Sequence, residues 1–169
     1  MKGYYFITDQ TLSRAGSPSD VKAAVAAKAA AVQYRRKDAD TGEMYREALQ
    51  LRKICRGVPF LINDRVDIAL AVAADGVHLG QEDLPCAAAR KILGRRKIIG
   101  VTVHSLAQAV KAEKDGADYV AVSPIFETAT KPDAGRPIGR NSWFGHNAGK
   151  SGACPPAPAR RIALKSIFY

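Results

Sequence analysis

Apolar strand-like runs alternating with helix-like segments predict an α/β fold on a parallel sheet. Three observations carry the prediction. Six short apolar runs recur along the first 123 residues, each bounded by polar or turn-forming residues. The segments between them are rich in Ala, Leu, Lys and Glu at helical spacing. Finally, Ala74-Asp75-Gly76-Val77-His78-Leu79-Gly80 is echoed by Ala117-Asp118-Tyr119-Val120-Ala121-Val122-Ser123, where an alanine-rich helix runs through an aspartate into a strand. Alternating units of this size require right-handed crossovers and a parallel sheet. Repeated units of one kind favour a TIM-type (β/α)8 barrel over an open doubly wound sheet. No G-x-G-x-x-G follows the first strand, which argues against a dinucleotide fold.

The elements fall in order. Tyr4-Tyr5-Phe6-Ile7-Thr8 is the first strand and residues 19–29 the first helix. Ala30-Ala31-Val32-Gln33-Tyr34-Arg35 precedes a helix over 42–55. Pro59-Phe60-Leu61-Ile62 precedes one over 65–72, and Gly76-Val77-His78-Leu79 precedes one over 84–93. Lys97-Ile98-Ile99-Gly100-Val101-Thr102-Val103 leads into a helix over 105–115, and Asp118-Tyr119-Val120-Ala121-Val122-Ser123 is the sixth strand. No further strand and helix are legible after Gly139, and 141–158 is rich in Gly, Pro, Ala and Ser. The expectation is a partial barrel of about six βα units over 1–139, followed by an irregular basic tail over 140–169. A closed barrel needs eight units and usually ~200 residues or more.

The chain has 169 residues and a formal net charge of +10. Residues 140–169 hold five Lys or Arg and no acid, which leaves 21 cations against 16 acids in the body. A modestly basic body suits an anionic small substrate. No helix-turn-helix, zinc finger or RNP-type motif supports nucleic acid as a partner. No apolar run approaches membrane-spanning length, and the N-terminus lacks a signal-peptide pattern, so no membrane partner is expected. Cys55, Cys86 and Cys154 are odd in number and lack metal-ligand spacing, so they are expected as reduced thiols of a cytoplasmic protein.

Polar residues converge where the strands end. A parallel sheet places its chemistry at the C-terminal strand ends. The second strand ends Gln33-Tyr34-Arg35-Arg36-Lys37, the third Asn63-Asp64, and the fourth carries His78, Gln81 and Asp83. The fifth carries Thr102 and His104, and the sixth runs towards Thr128, Ala129, Thr130 and Lys131. Two carboxylates from neighbouring strand ends can share one hard cation such as Mg2+. The plainer alternative is that Asp64 and Asp83 cap the helices that follow. Likewise 33–37 is either an anion grip or a solvated basic turn. Arg35 can hold phosphate bidentately, while Lys37 and Lys131 add point charges. Together the set suits a polyphosphate ester held with Mg2+, the metal stabilising a diphosphate leaving group. For His78 a satisfied strand histidine is the alternative to a site role.

Four motifs resemble the thiamine-phosphate synthase family: Gln33-Tyr34-Arg35-Arg36-Lys37, Leu61-Ile62-Asn63-Asp64-Arg65-Val66-Asp67, Gly76-Val77-His78-Leu79-Gly80-Gln81-Glu82-Asp83-Leu84-Pro85 and Thr128-Ala129-Thr130-Lys131-Pro132. The resemblance spans residues 4–139. It implies a (β/α)8 barrel that joins hydroxymethylpyrimidine diphosphate to thiazole phosphate, releasing diphosphate in a dissociative substitution. By resemblance, 33–37, Asn63, Thr102 and Lys131 bind the pyrimidine diphosphate, Asp64 and Asp83 hold Mg2+, and Thr128, Ala129 and Thr130 meet the thiazole phosphate. Arg35, Thr102 and Lys131 are the expected catalytic groups. A homo-oligomer is left open.

The chain departs from the family pattern in places. Arg36 stands where an acid is usual, Ala129 replaces a proline, and Thr102 replaces a serine. The family continues with two further βα units, whereas Arg140 onward is not family-like, as in a truncated or frame-shifted copy. The competing readings are a thiazole tautomerase relative and a non-catalytic fragment that binds phosphate ligands.

Overall fold

The computed structural model describes residues 3–123 and the backbone of a short strand at 163–166. Strands and helices alternate: β1 (Tyr5–Ile7), α1 (Ser17–Ala26), β2 (Ala31–Tyr34), α2 (Thr41–Ile54), β3 (Phe60–Asn63), α3 (Val66–Ala71), β4 (Gly76–Leu79), α4 (Cys86–Leu93), β5 (Ile98–Val103), α5 (Leu106–Lys114), β6 (Tyr119–Val122) and β7 (Ala163–Ser166). All neighbours pair in parallel and in chain order, from β1 to β7. Such an order is that of a barrel wall, because a doubly wound sheet reverses direction part-way.

Each predicted strand and helix lies within a few residues of its expected place. The seventh strand differs from the sequence expectation. Ala163-Leu164-Lys165-Ser166 is four residues long and carries a lysine, so its periodicity is too short to stand out. It pairs with β6 through Tyr119↔Ala163 and Val122↔Ser166. The outer edge of β6 is therefore covered, and the residues expected to be irregular contribute a strand. Among the described residues, β1 and β7 form the two sheet edges.

Strand alternation sorts the side chains onto two faces. Val32, Tyr34, Phe60, Ile62, Val77, Ile99, Val101, Val120 and Val122 pack in one core with Val21, Ala48, Leu51, Ala69, Ala89 and Ala112 of the helices. The alternate positions, among them Gln33, Leu61, Asn63, His78, Gly100, Thr102 and Tyr119, belong to the opposite face. That face is concave. The hydroxyls of Tyr5 on β1 and Tyr119 on β6 meet at 2.8 Å. In a flat sheet these strands would stand about 24 Å apart at ~4.8 Å per strand. Curling the sheet brings them within reach of two tyrosines.

Two glycines make the curl possible. A Cβ on Gly100 would sit 2.0 Å from Cζ of Tyr119, and one on Gly76 1.9 Å from the Ile98 carbonyl oxygen. Only a residue without Cβ admits these approaches.

The Asp75/Asp118 echo has a structural meaning. The Asp75 N–H donates to the Phe60 carbonyl (2.8 Å), and the Phe60 N–H donates back to Asp75 Oδ2 (2.8 Å). Asp118 and Ile99 repeat the pair at 2.8 Å and 2.8 Å. Arg52 from α2 closes on Asp75 at 2.9 and 3.1 Å, and Arg90 from α4 closes on Asp118 at 2.6 Å. Each aspartate thus ties a strand start to its neighbour and to a helix, at the N-terminal end of the sheet. Helix starts are capped conventionally where the sequence allows: Asp40 accepts from the Glu43 N–H and Ser105 from the Gln108 N–H.

Candidate active site

The C-terminal strand ends carry the polar constellation. Residues 33–37 continue the alternation of β2, so the segment divides. Tyr34 and Arg36 turn towards α2. The Tyr34 hydroxyl donates to Glu47 Oε2 at 2.7 Å, and burial followed by this bond raises its pKa well above the ordinary tyrosine value. The Arg36 guanidinium is divided among Asp38 (2.9 Å), Glu43 (2.8 Å) and Glu47 (3.0 Å). Neither side chain is turned to the concave face, contrary to the expectation for an unbroken anion-gripping run. Glu43 and Glu47, four apart on α2, supply the carboxylates that draw Arg36 away.

Gln33, Arg35 and Lys37 take the other side. Gln33 is fully buried, and both polar atoms of its carboxamide lack a protein partner. A buried amide without a partner costs stability, and both of its polar atoms are left available to a polar group. Arg35 is braced: its N–H donates to Thr8 Oγ1 at 2.9 Å, and its guanidinium lies 3.5 Å from Asp9. The charges of Lys37 and Arg35 reach Asp64, whose ionisation both favour.

Asp64 and Asp83 come together, and neither caps a helix. The cap positions of α3 and α4 are Arg65 and Pro85, without side-chain cap bonds. Asp64 follows β3 directly. Its N–H donates to the His78 carbonyl at 2.8 Å, and the Arg65 N–H turns back to the Asn63 carbonyl at 2.7 Å. This tight turn holds Asp64 at φ 63°, a left-handed conformation tolerated by Asp better than by most residues. The Asp83 carboxylate accepts the Gly80 N–H at 2.6 Å, which fixes it over the end of β4. Burial, then the hydrogen bond and charge of Asp83, push the Asp64 carboxyl up to about 7. Two carboxyls this close need a proton or a cation between them.

Thr102 lies buried on β5. Its Oγ1 is 2.8 Å from His78 Nε2, and its carbonyl accepts from Gln81 Nε2 at 2.6 Å. His78 Nδ1 is 2.8 Å from the Tyr119 hydroxyl. His104 is exposed beside the site, with Nδ1 at 2.5 Å from the Ser123 carbonyl and its N–H donating to Gln108 at 2.6 Å. Asn63 ends β3 in register with His78. Thr128, Ala129, Thr130 and Lys131 lie outside the described residues.

Hollows flank the sheet among the described residues. One of about 510 Å³ lies at the N-terminal end, lined by Arg52, Pro59, Asp75 and Lys97 among others. There Arg52 and Asp75 already satisfy each other, so that end stabilises the fold. Another, about 310 Å³, lies between α3 and α4 and includes Asp64, Leu70, Leu84 and Ile92.

The family model described as thiamine monophosphate synthase matches residues 4–147. The chain belongs to the thiamine monophosphate synthase family. It is similar to the thiamine-phosphate synthase of Methanosarcina mazei, 57% identical over 137 residues that cover 80% of this chain and 57% of that protein. The thiamine-phosphate synthase of Chloroflexus aurantiacus is 54% identical over 138 residues, covering 80% of this chain and 63% of that one. A solved structure, thiamine phosphate pyrophosphorylase from Pyrococcus furiosus, superposes with a TM-score of 0.72 at 43% identity, over 81% of this chain and 65% of its own. The chain therefore spans about three-fifths of the length of the curated relatives it matches.

Within this thiamine monophosphate synthase fold, sequence reasoning missed Tyr5, Tyr119, Asp9 and Gly100. The tyrosines were read only as apolar strand residues. The signal that could have found Tyr119 is Gly100, an isolated glycine inside a strand, which marks a close approach.

Proposed function

We propose that the chain acts as a thiamine-phosphate synthase, a transferase condensing hydroxymethylpyrimidine diphosphate with thiazole phosphate and releasing diphosphate. The observation that carries this reading is the Asp64–Asp83 carboxyl pair beside Arg35 and Lys37. An anion-binding rim of cations facing a carboxylate pair suits a metal-bound diphosphate and suits neither a bare anion nor a bare cation.

Mg2+ fits this donor set. Among the described residues no cluster of three or more His, Cys, Asp or Glu exists. Magnesium is characteristically held by one or two carboxylates, with substrate phosphates completing its shell. Asp64 and Asp83 would hold it, and when bound it would neutralise charge developing on the leaving diphosphate.

The remaining work falls to the chain. Arg35, braced by Thr8 and Asp9, presents its guanidinium to diphosphate oxygens, and Lys37 adds a second cation. Gln33 offers its unpartnered amide to the pyrimidine edge. Thr102 presents a hydroxyl to the diphosphate. The bond between the pyrimidine methylene carbon and the diphosphate oxygen breaks first, with the electron pair leaving on oxygen. The thiazole nitrogen then bonds to that carbon. In this reading Lys131 joins the diphosphate contacts, and Thr128, Ala129 and Thr130 meet the thiazole phosphate. The retained carboxylate pair supports the synthase over a tautomerase relative.

No helix among the described residues is long and apolar enough to cross a membrane. Cys55 and Cys86 are buried free thiols, and burial pushes Cys55 up to about 11. The buried free thiols support a cytoplasmic location. The reading is tested by calorimetry with inorganic diphosphate, with and without Mg2+, followed by turnover with both substrates. Mg2+-dependent binding that Asp64→Asn abolishes is expected. Equal binding without Mg2+, or unchanged binding in Asp64→Asn and Asp83→Asn, would overturn it.

A further inference from the structure

Four side chains from four strands form one hydrogen-bonded row across the concave face. Tyr5 on β1 meets Tyr119 on β6 at 2.8 Å, Tyr119 meets His78 on β4 at 2.8 Å, and His78 meets Thr102 on β5 at 2.8 Å. His78 is 3% exposed and Thr102 8%. The row ends at Thr102, whose carbonyl is clasped by Gln81 from the loop that carries Asp83.

A row of this kind has a direction. A neutral imidazole has one N–H and one lone pair, so one neighbour of His78 must donate and the other accept. Both neighbours are hydroxyls, which can do either. Phenolic O–H is the more acidic donor, with an ordinary pKa near 10, so the stronger arrangement has Tyr119 donating to Nδ1. The Tyr119 oxygen then accepts from Tyr5, and successive bonds polarise one another in the same sense. His78 is left with its proton on Nε2, which donates to Thr102 Oγ1. The Thr102 proton is thereby released from the row. The opposite direction would tie that proton to Nε2 and turn only lone pairs towards the site.

We propose that His78 is a positioning residue: held by Tyr119 in its Nε2–H form, it accepts nothing from Thr102 and so keeps the Thr102 hydroxyl as a donor towards the diphosphate. The inference rests on the functional reading above and adds the residues that set the polarity of its hydroxyl. It explains why a histidine is buried with both nitrogens on hydroxyls, and why Gly100 gives up its side chain to admit the Tyr119 ring. It also makes Tyr5 and Tyr119 part of the site by way of His78.

The test uses the full chain. Long-range 1H–15N correlation reports the His78 tautomer, assigned by its response to Thr102→Val. The Nε2–H form is expected, with and without Mg2+ and inorganic diphosphate, and Tyr119→Phe should redistribute it towards the other form. Calorimetry with the same probe should show Thr102→Val and Tyr119→Phe each about tenfold weaker. The double variant should be no weaker than Thr102→Val alone, since Tyr119 acts only through that hydroxyl. Thr102→Ser, which keeps the hydroxyl, should restore binding. A predominantly Nδ1–H form in the parent chain overturns the proposal, as does an additive double variant. If the parent chain binds no Mg2+-diphosphate, the functional reading fails instead, while the tautomer still tests the direction of the row.

Discussion

Replacing Asp64 by asparagine should make the protein without ligand more stable while removing one of the two proposed Mg2+ ligands. The Asp64 carboxyl rises from 3.8 to about 7, chiefly through burial and then through Asp83. A raised carboxyl holds its proton longer in the folded than in the unfolded chain. Stability from this group is therefore fully present below about pH 4 and is lost as pH rises to about 7. At 1.36 kcal/mol per unit the shift corresponds to at most ~4 kcal/mol above pH 7. Partial solvent screening of the half-buried side chain brings this to ~2 kcal/mol.

The assay is thermal unfolding at pH 4 and pH 8 in chelator, and again at pH 8 with Mg2+ and diphosphate. For a chain of this size ~2 kcal/mol corresponds to ~4–8 °C in Tm. Asp64→Asn should melt higher than the parent by that amount at pH 8 and equally at pH 4. Ligand at a hundredfold excess over Kd should add about 2.7 kcal/mol to the parent and nothing to the variant. An Asp64→Asn protein melting at or below the parent at pH 8 in chelator would refute the reasoning, because no penalty for a buried, charged Asp64 would then exist to relieve.

Arg35→Gln should weaken diphosphate binding about tenfold with little change in stability, whereas Arg36→Gln should lower stability more than binding, since its three carboxylate partners lie on or beside α2; calorimetry and urea unfolding separate the two. Gly100→Ala should cost ~1–3 kcal/mol in urea unfolding by driving Tyr119 off β5, and Gly76→Ala should cost more, because its Cβ meets backbone that cannot swing aside. Asp75→Asn should cost ~1–3 kcal/mol by loosening the Phe60 N–H and Arg52 and should leave diphosphate affinity unchanged; a loss of affinity would show that the two ends of the barrel are coupled.

Much of the wall was legible because its elements agree with their own periodicity. The strand Gly76–Leu79 lies where the apolar run placed it, and α2 (Thr41–Ile54) lies within one residue of the helix expected over 42–55. The carboxylates at 64 and 83 were legible as a pair because parallel strands end on one side. Their capping alternative fails for a reason the sequence also holds: Asp64 directly follows β3, so the chain must turn at once, and an aspartate tolerates the left-handed conformation this needs. The strand at 163–166 was not legible, since four residues with a lysine among them carry too little pattern to be separated from a tail.

The division of 33–37 lay within reach of the sequence and was missed. Five residues leaving a strand keep its period of two, so Gln33, Arg35 and Lys37 share one side while Tyr34 and Arg36 share the other. Glu43 and Glu47 at helical spacing then identify which side the helix takes. The pairing of Tyr5 with Tyr119 is a different case. Strand periodicity says that each faces the interior, but 114 residues and four intervening strands separate them. Whether they touch depends on the curvature of the wall, a property of twist, strand tilt and the missing side chain at Gly100 acting together. Local pattern fixes which residues look inward, whereas closure decides which of them meet. The proposed polarity of Thr102 is of the second kind, because it would be set through His78 by Tyr119, whose hydroxyl Tyr5 reaches from the far edge of the sheet.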